Sequence, residues 1–186
     1  MPLTTIYPQR IVAARDNNHH PVEHQVLPFV LRSDETSKPE IILDYGRAER
    51  GQPIFEIASA DSTANSILFE VVYSEQFRAI SDEGGDGPYF LFSNAMDTYR
   101  NVVHEITPSR SPQTVIARHE QCSQRYQRIK LLSPHTSITF STVGFRSRKP
   151  EEASPSLFRC SDPKLNKIWQ QGVHTCLLYT SDAADE

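Results

Sequence analysis

The carboxylate side chains are the first residues in this chain whose chemistry could carry a reaction. Inverting cleavage of a glycosidic bond uses two carboxyl groups that face each other, about 6.5–9.5 Å apart. Candidates for such a pair are scattered over strand-like segments and turns: Asp44, Glu49, Glu56, Glu70, Asp82, Glu83, Asp86 and Asp97. The sequence pairs no two of them, so each is interpreted as solvated or turn-capping, and no catalytic residue is predicted.

A loop rich in glycine and aspartate, Asp82–Gly87, is the second candidate, for a metal ion or a phosphate. It departs from the EF-hand calcium pattern, because Gly84 stands at the third position and Ser93 replaces the twelfth-position glutamate. It also lacks the Lys-Ser/Thr ending of a phosphate-binding loop, and no helical pattern follows it. The sequence therefore predicts a turn here, with no metal-binding or cofactor-binding residue and no cofactor.

Histidine and cysteine side chains offer two weaker alternatives. His19, His20 and His24 could begin a metal site, but nothing supplies the remaining ligands at a familiar spacing, which favours a solvated loop. Cys122 lies near His119 in the sequence, as a thiol nucleophile and its base would, yet an ordinary thiol is the better interpretation. No serine occurs in a Gly-x-Ser-x-Gly elbow.

Composition narrows the class of protein. The chain has 186 residues, enough for one sizeable core, with 38% hydrophobic and 23% charged residues. Its net charge of −4 is too small and too dispersed for a nucleic-acid surface. No apolar run approaches the roughly 20 residues of a membrane helix, and the amino terminus lacks a secretory apolar region. We therefore expect no nucleic-acid or membrane partner, a cytoplasmic location with an extracellular one as the alternative, and reduced cysteines.

The elements that must position these residues are strands. The segment Ser66–Ser74 alternates most clearly, with Ile67, Phe69, Val71 and Tyr73 on one face. A period of two is typical of a sheet with one buried face. In Ser137–Phe145 the apolar residues change phase, and a bulge near Thr142 would reconcile them.

Short strands at similar spacings fill the first 146 residues, and no helical stretch alternates with them. Besides the two just described, the predicted strands are Val26–Leu31, Ile41–Tyr45, Ile54–Ile57, Tyr89–Phe92, Tyr99–Ile106, Thr114–Arg118 and Tyr126–Leu132. This pattern predicts an all-β fold, an antiparallel β-sandwich over residues 1–146. Residues 1–24 are weakly patterned.

The composition then changes to a charged, proline-bearing linker over 147–160 and a helix over 161–175. Ser161-Asp162-Pro163 is typical of a helix start. Leu165, Ile168, Trp169 and Val173 form one apolar stripe, which has no partner left in the chain. The helix is therefore interpreted as the first element of a further domain.

The last segment, 176–186, interrupts the helical pattern and resembles the translation of a transposon-type sequencing adapter. We expect the natural sequence to run to Thr175 and the gene to continue beyond it. A genuine tail of small residues is the alternative.

Five motifs in order resemble those of α-L-rhamnosidases, fungal-type members of the six-hairpin glycosidase superfamily. They are Leu43-Asp44-Tyr45-Gly46-Arg47-Ala48-Glu49 with Pro53-Ile54-Phe55-Glu56, Gly87–Arg100, Gln124–Leu131, Val143-Gly144-Phe145-Arg146 and Cys160–Trp169. Together they span about residues 40–175.

The resemblance implies an enzyme that removes terminal α-L-rhamnose from glycosides with inversion and without a redox cofactor. Its catalytic carboxylates would lie on an (α/α)₆ barrel that begins near Ser161 and continues past Thr175, so none is carried onto this chain. The sandwich, concanavalin-like or jelly-roll-like, would be an accessory domain that packs on the barrel. The fragment alone would be inactive, and its substrate partner would be a rhamnosylated small molecule or oligosaccharide.

Two other classes of protein remain open, a free-standing carbohydrate-binding module and a structural interaction domain. Within the motifs, six side chains are expected to hold the sandwich together rather than to contact substrate: Asp44, Tyr45, Asp97, Tyr99, Arg125 and Tyr126. The segment Gly84–Arg100 is interpreted as a central turn-and-strand pair of that sandwich.

Overall fold

A computed structural model describes residues 4–15, 26–81, 100–147 and 158–179, and these residues form nine strands and two helices. The strands are β1 (Thr4–Ile6), β2 (Arg10–Arg15), β3 (Phe29–Arg32), β4 (Glu40–Ser62), β5 (Ile67–Ser74), β6 (Arg100–Ile106), β7 (Gln113–Ile116), β8 (Gln121–Leu131) and β9 (Thr136–Ser147). The helices are α1 (Phe77–Ser81) and α2 (Pro163–Tyr179), and a 3₁₀ turn covers Pro108–Arg110.

The strands form two antiparallel sheets. In sheet A, β1 and β3 pair with one edge of β9. The other edge of β9 pairs with the second half of β4, which in turn pairs with β7. In sheet B the order is β2, the first half of β4, β8, β5 and β6. The predicted antiparallel β-sandwich followed by a helix is confirmed.

Strand β4 belongs to both sheets, which differs from the two separate strands predicted at Ile41–Tyr45 and Ile54–Ile57. Gly46, with φ of +81°, and register shifts between Asp44 and Gly51 bend the strand but do not end it. At Gly51 a Cβ atom would lie 2.6 Å from the backbone oxygen of Arg146. The glycines therefore allow a bend and a close strand contact, where the sequence pattern indicated a break.

The core lies between the two sheets, and β5 contributes to it as predicted. Ile67, Phe69, Val71 and Tyr73 are fully buried. The ring of Phe69 packs edge-on against those of Phe55 and Phe140, at centroid distances of 5.4 and 5.6 Å. These side chains belong to one cluster of buried residues drawn from both sheets.

The outer face of sheet B is partly covered as well, because the unpredicted helix α1 packs on β5 and β8. Ile80 of α1 forms a small second cluster with Ile42 and Val72. Val72 is buried for this reason, although it lies on the face of β5 opposite to Phe69.

The predicted bulge in the last strand is confirmed. Thr142 pairs with Glu56 and Phe140 pairs with Ile57, so Ser141 is left without a counterpart on β4. The extra residue restores the phase: Ile138, Phe140, Val143 and Phe145 are all buried.

His104 on β6 is a titratable side chain inside this core. Its ring lies 5.1 Å from those of both Phe55 and Phe69, and its Nε2 has no hydrogen-bond partner in the described part of the chain. Burial lowers the pKa of His104. The unfolded chain therefore takes up this proton at a higher pH than the folded one, and stability contributed by the neutral ring is lost as the pH falls through about 6.5.

Replacing His104 with phenylalanine is expected to make stability less dependent on pH. Urea unfolding of both proteins at pH 7.5 and 5.5 measures this. On acidification the wild type should lose more free energy of unfolding than the variant. Equal losses would contradict the assigned titration.

Several boundaries differ from prediction. Strands β1 and β2 lie in the segment 1–24, for which no strand is predicted. Both strands are short, and their apolar residues do not alternate clearly. The predicted strand Val26–Leu31 is observed from Phe29 to Arg32. The predicted strand Tyr89–Phe92 and nearly all of Gly84–Arg100 lie outside the described residues.

Helix α2 begins at Pro163, and the Asp162 side chain caps it by accepting the backbone N–H of Lys164 at 2.8 Å. The side-chain amide of Asn166 accepts a hydrogen bond from the backbone N–H of Cys160 at 2.9 Å and donates one to the backbone oxygen of Cys160 at 2.8 Å. The helix continues past Thr175 to Tyr179 and so includes the start of the segment predicted to interrupt it.

Neither helix of the described residues is long and apolar enough to cross a membrane.

Candidate functional site

The most highly bonded carboxylate in the described part of the chain is Asp44, where β4 begins its bend. Its buried Oδ2 accepts hydrogen bonds from Arg10 at 2.7 and 2.9 Å and from Arg125 Nη2 at 3.1 Å. Its Oδ1 accepts from Arg125 Nε at 2.9 Å and from the Gly46 backbone N–H at 2.7 Å. Strands β2, β4 and β8 are thus joined at one side chain.

These contacts fix the ionisation of Asp44. Burial of the carboxylate would raise its pKa, but the hydrogen bonds from Arg125, Gly46 and Arg10 outweigh burial and lower the pKa to about 2. Asp44 is therefore a permanent anion at neutral pH. Its oxygens are occupied by donors, so it is poorly suited to donate or take up a proton in a reaction.

The rest of the Asp-Tyr-Gly motif has structural roles too. Tyr45 donates a hydrogen bond to Gln127 Oε1 at 2.8 Å inside the core, and its ring packs on Phe145. Gly46 has the left-handed conformation that lets its N–H reach Asp44. The side chain of Gln9 covers Gly46 so closely that a Cβ atom there would overlap its amide oxygen.

The Arg-Tyr motif of β8 completes this cluster. The Arg125 guanidinium lies 4.9 Å from the centre of the Tyr126 ring, which meets Phe77 of α1 edge-on. Of the six side chains expected to hold the sandwich together, Asp44, Tyr45, Arg125 and Tyr126 make such contacts. Asp97 and Tyr99 lie outside the described residues.

A row of alternating charges crosses sheet B. Arg15 pairs in register with Glu40, Glu40 with Lys130, and Lys130 with Glu70. Glu40 lies 3.6 Å from Arg15 and 3.9 Å from Lys130, and Glu70 lies 3.2 Å from the buried Arg128. Opposite charges directly across a sheet stabilise the pairing.

The remaining candidate carboxylates are accounted for as follows. Glu49 is buried and accepts from Arg47 Nε at 2.6 Å, and Glu56 is half-buried on β4. Asp82, Glu83 and Asp86 lie outside the described residues, as do His19, His20 and His24. The side chain of Cys122 is likewise not described. Within the described ranges no group of three possible metal ligands occurs.

A cleft, which no sequence pattern predicts, opens between the bend of β4 and helix α2. This α2 cleft has a volume of about 590 Å³. It is lined by Arg47 and Ala48 of β4, by Glu75, and by residues of one side of the helix: Lys167, Gln170, Gln171, His174, Thr175 and Leu178.

Two hydrogen bonds hold the helix beside the sandwich. His174 Nε2 lies 2.7 Å from the backbone oxygen of Ala48, and Arg50 donates to the backbone oxygen of Leu178 at 3.2 Å. The apolar stripe of the helix does not face the sandwich: Leu165, Ile168 and Trp169 are 48%, 54% and 36% exposed. Trp169 packs only partly, against Phe158 at 5.4 Å between ring centres.

Solved structures of other proteins are similar to the fold of this chain. No family model and no curated protein matches the chain. A rhamnosidase from Klebsiella oxytoca with rhamnose bound is similar over 95% of this chain and 35% of its own, with a TM-score of 0.66 and 16% identity. A GH78 family rhamnosidase of Bacillus sp. GL1 is similar over 87% of this chain and 15% of its own, with a TM-score of 0.57 and 21% identity. The chain thus spans about a third or less of these proteins.

Proposed function

We propose that this chain is the N-terminal part of an inverting glycoside hydrolase that removes terminal α-L-rhamnose from glycosides. In this proposal the sandwich is an accessory domain, α2 is the first helix of an (α/α)₆ barrel, and the catalytic carboxylates lie on that barrel. The substrate is a rhamnosylated small molecule or oligosaccharide.

The observation that carries the proposal is the fold likeness to two rhamnosidases, which covers nearly the whole of this chain. It joins the five sequence motifs, which independently resemble the same family. The motif residues Asp44, Gly46 and Arg125 meet at one point of the structure, as expected if the motifs preserve a sandwich.

The surface of α2 supports the placement of a helical domain beside the sandwich. Its exposed apolar stripe, Leu165, Ile168 and Trp169, lies away from the cleft side, where His174 contacts β4. Burying such a stripe against neighbouring helices would stabilise the helix, and each large side chain contributes about 1.5–3 kcal/mol when fully buried.

The described carboxylates support a catalytic centre elsewhere. Asp44 is bonded by two arginines, Glu49 by Arg47, and Glu70 by Arg128. A general acid needs a raised pKa, as in a poorly solvated carboxyl group without a cation beside it. Each of these three carboxylates has an arginine beside it.

The purified 186-residue chain is expected to release no detectable p-nitrophenol from p-nitrophenyl α-L-rhamnopyranoside. A longer product of the same gene, extended beyond residue 175, is expected to release p-nitrophenol. The rhamnose it releases should first appear as the β-anomer, and NMR can distinguish this anomer from the α-anomer. Turnover by the short chain would overturn the assignment of catalysis to the barrel. No turnover by the extended protein, or first-formed α-anomer, would overturn the proposed activity or its stereochemistry.

A further inference from the structure

The α2 cleft combines the volume of a small-molecule site with unused hydrogen-bonding groups. Its 590 Å³ lies within the range of about 300–1,000 Å³ usual for such sites. The side chains of Lys167, Gln170 and Gln171 line it, and none of them bonds to another residue in the described part of the chain. Their donors and acceptors are therefore available to a ligand.

The walls of the cleft are held in place by contacts of their own. The hydrogen bonds of His174 to Ala48 and of Arg50 to Leu178 fix the helix against the bend of β4. Arg47 is held by Glu49 through its Nε, which leaves the two terminal nitrogens of the guanidinium for a ligand. Because Arg47 is already held, it loses less side-chain entropy on binding than an unbonded side chain would.

The charges at the cleft indicate a neutral ligand. Two lining residues, Arg47 and Lys167, are cations, and Arg47 is already paired with Glu49. An anion such as phosphate would therefore find, among the described residues of the cleft, a single cation, Lys167, without a bonded carboxylate. The side chains of only two lining residues, Ala48 and Leu178, are wholly apolar, too few for a lipid or an aromatic ligand.

We propose that the α2 cleft binds a neutral mono- or disaccharide through Arg47, Lys167, Gln170 and Gln171. Guanidinium and ammonium groups donate to sugar hydroxyls, and the amides both donate and accept. The cleft volume of about 590 Å³ is large enough for a ligand of this size. Binding is a property of this chain itself and does not depend on hydrolysis by a larger protein.

Titration of the ¹⁵N-labelled 186-residue protein tests the proposal. The probes are the neutral sugars D-glucose, L-rhamnose and sucrose, with galacturonate and inorganic phosphate as charged probes. At least one neutral sugar is expected to shift the side-chain amide signals of Gln170 and Gln171 saturably. Absence of saturation by all three sugars would overturn the proposal, as would tighter binding of either anion.

Matched variants on the same helix decide whether the shifts arise in the cleft. Lys167→Ala and Gln170→Ala are each expected to weaken sugar binding by about 3- to 10-fold, the loss of one hydrogen bond. Lys164→Ala, one turn earlier and outside the cleft, should leave the affinity unchanged. Equal weakening by Lys164→Ala, with all variants folded by circular dichroism, would place the binding elsewhere and overturn the proposal.

Discussion

Replacing Asp44 with asparagine is expected to lower the free energy of unfolding by about 2–3 kcal/mol, because the buried carboxylate would lose its charge opposite two partly exposed arginines. The amide would carry no charge opposite Arg10 and Arg125, and only one of its two terminal atoms could accept hydrogen bonds. Both arginines now bond this carboxylate, as does the Gly46 N–H. The loss would loosen β2, β4 and β8 together.

Urea unfolding at pH 7 measures this effect, and Asp61→Asn is the matched control. Asp61 is exposed near the end of the same strand, β4, so its substitution should change stability by less than about 0.5 kcal/mol. Similar losses for the two variants would mean that the Asp44 network contributes little.

Acid should remove the same stabilisation in the wild-type protein. The pKa of Asp44 is lowered from 3.8 to about 2 on folding, so its contribution is complete above about pH 4 and is lost as the pH falls toward 2. The difference in stability between the wild type and Asp44→Asn should therefore shrink over that interval. A constant difference would contradict the lowered pKa.

Replacing Phe69 with alanine is the second substitution with a large expected effect, a loss of about 3–5 kcal/mol. The ring is fully buried and contacts Phe55, Phe140 and His104, which come from three different strands. Removing it would leave a cavity at the point where both sheets meet.

The neighbouring substitution Leu68→Ala is the control for Phe69→Ala. Leu68 is 38% exposed and lies on the other face of β5, so its truncation should cost well under half as much. Thermal or urea unfolding distinguishes the two. A larger loss at Leu68 would mean that the core face of β5 is assigned wrongly.

The elements that sequence reasoning predicted best carry a local signal. Strand β5 was predicted within one residue because its buried side chains alternate without interruption. The bulge in β9 was predicted because a change of phase within one apolar segment requires an extra residue. The cap and proline at the start of α2 are local signals as well.

What could not be predicted depends on residues distant in sequence. Strand β4 is continuous because it pairs with β8 before the bend and with β9 after it. The glycine and charged residues at the bend, taken alone, indicate a turn. Asp44 and Arg125 were both singled out, yet their mutual contact requires the register of β4 against β8. Arg10, the other cation on Asp44, carries no signal of its own in a weakly patterned segment. The α2 cleft arises only where the helix meets the bend.

The order of strands in sheet A has a consequence during protein synthesis. β9 is the last strand of the sandwich to be made, yet β1, β3 and the second half of β4 all pair with it. The ribosome must therefore release residues up to Ser147 before that sheet can form, and until then its earlier strands lack their central partner. Contacts this distant along the chain favour folding in milliseconds to seconds. The nascent sandwich thus presents unpaired strand edges, which make it prone to aggregation until β9 is made.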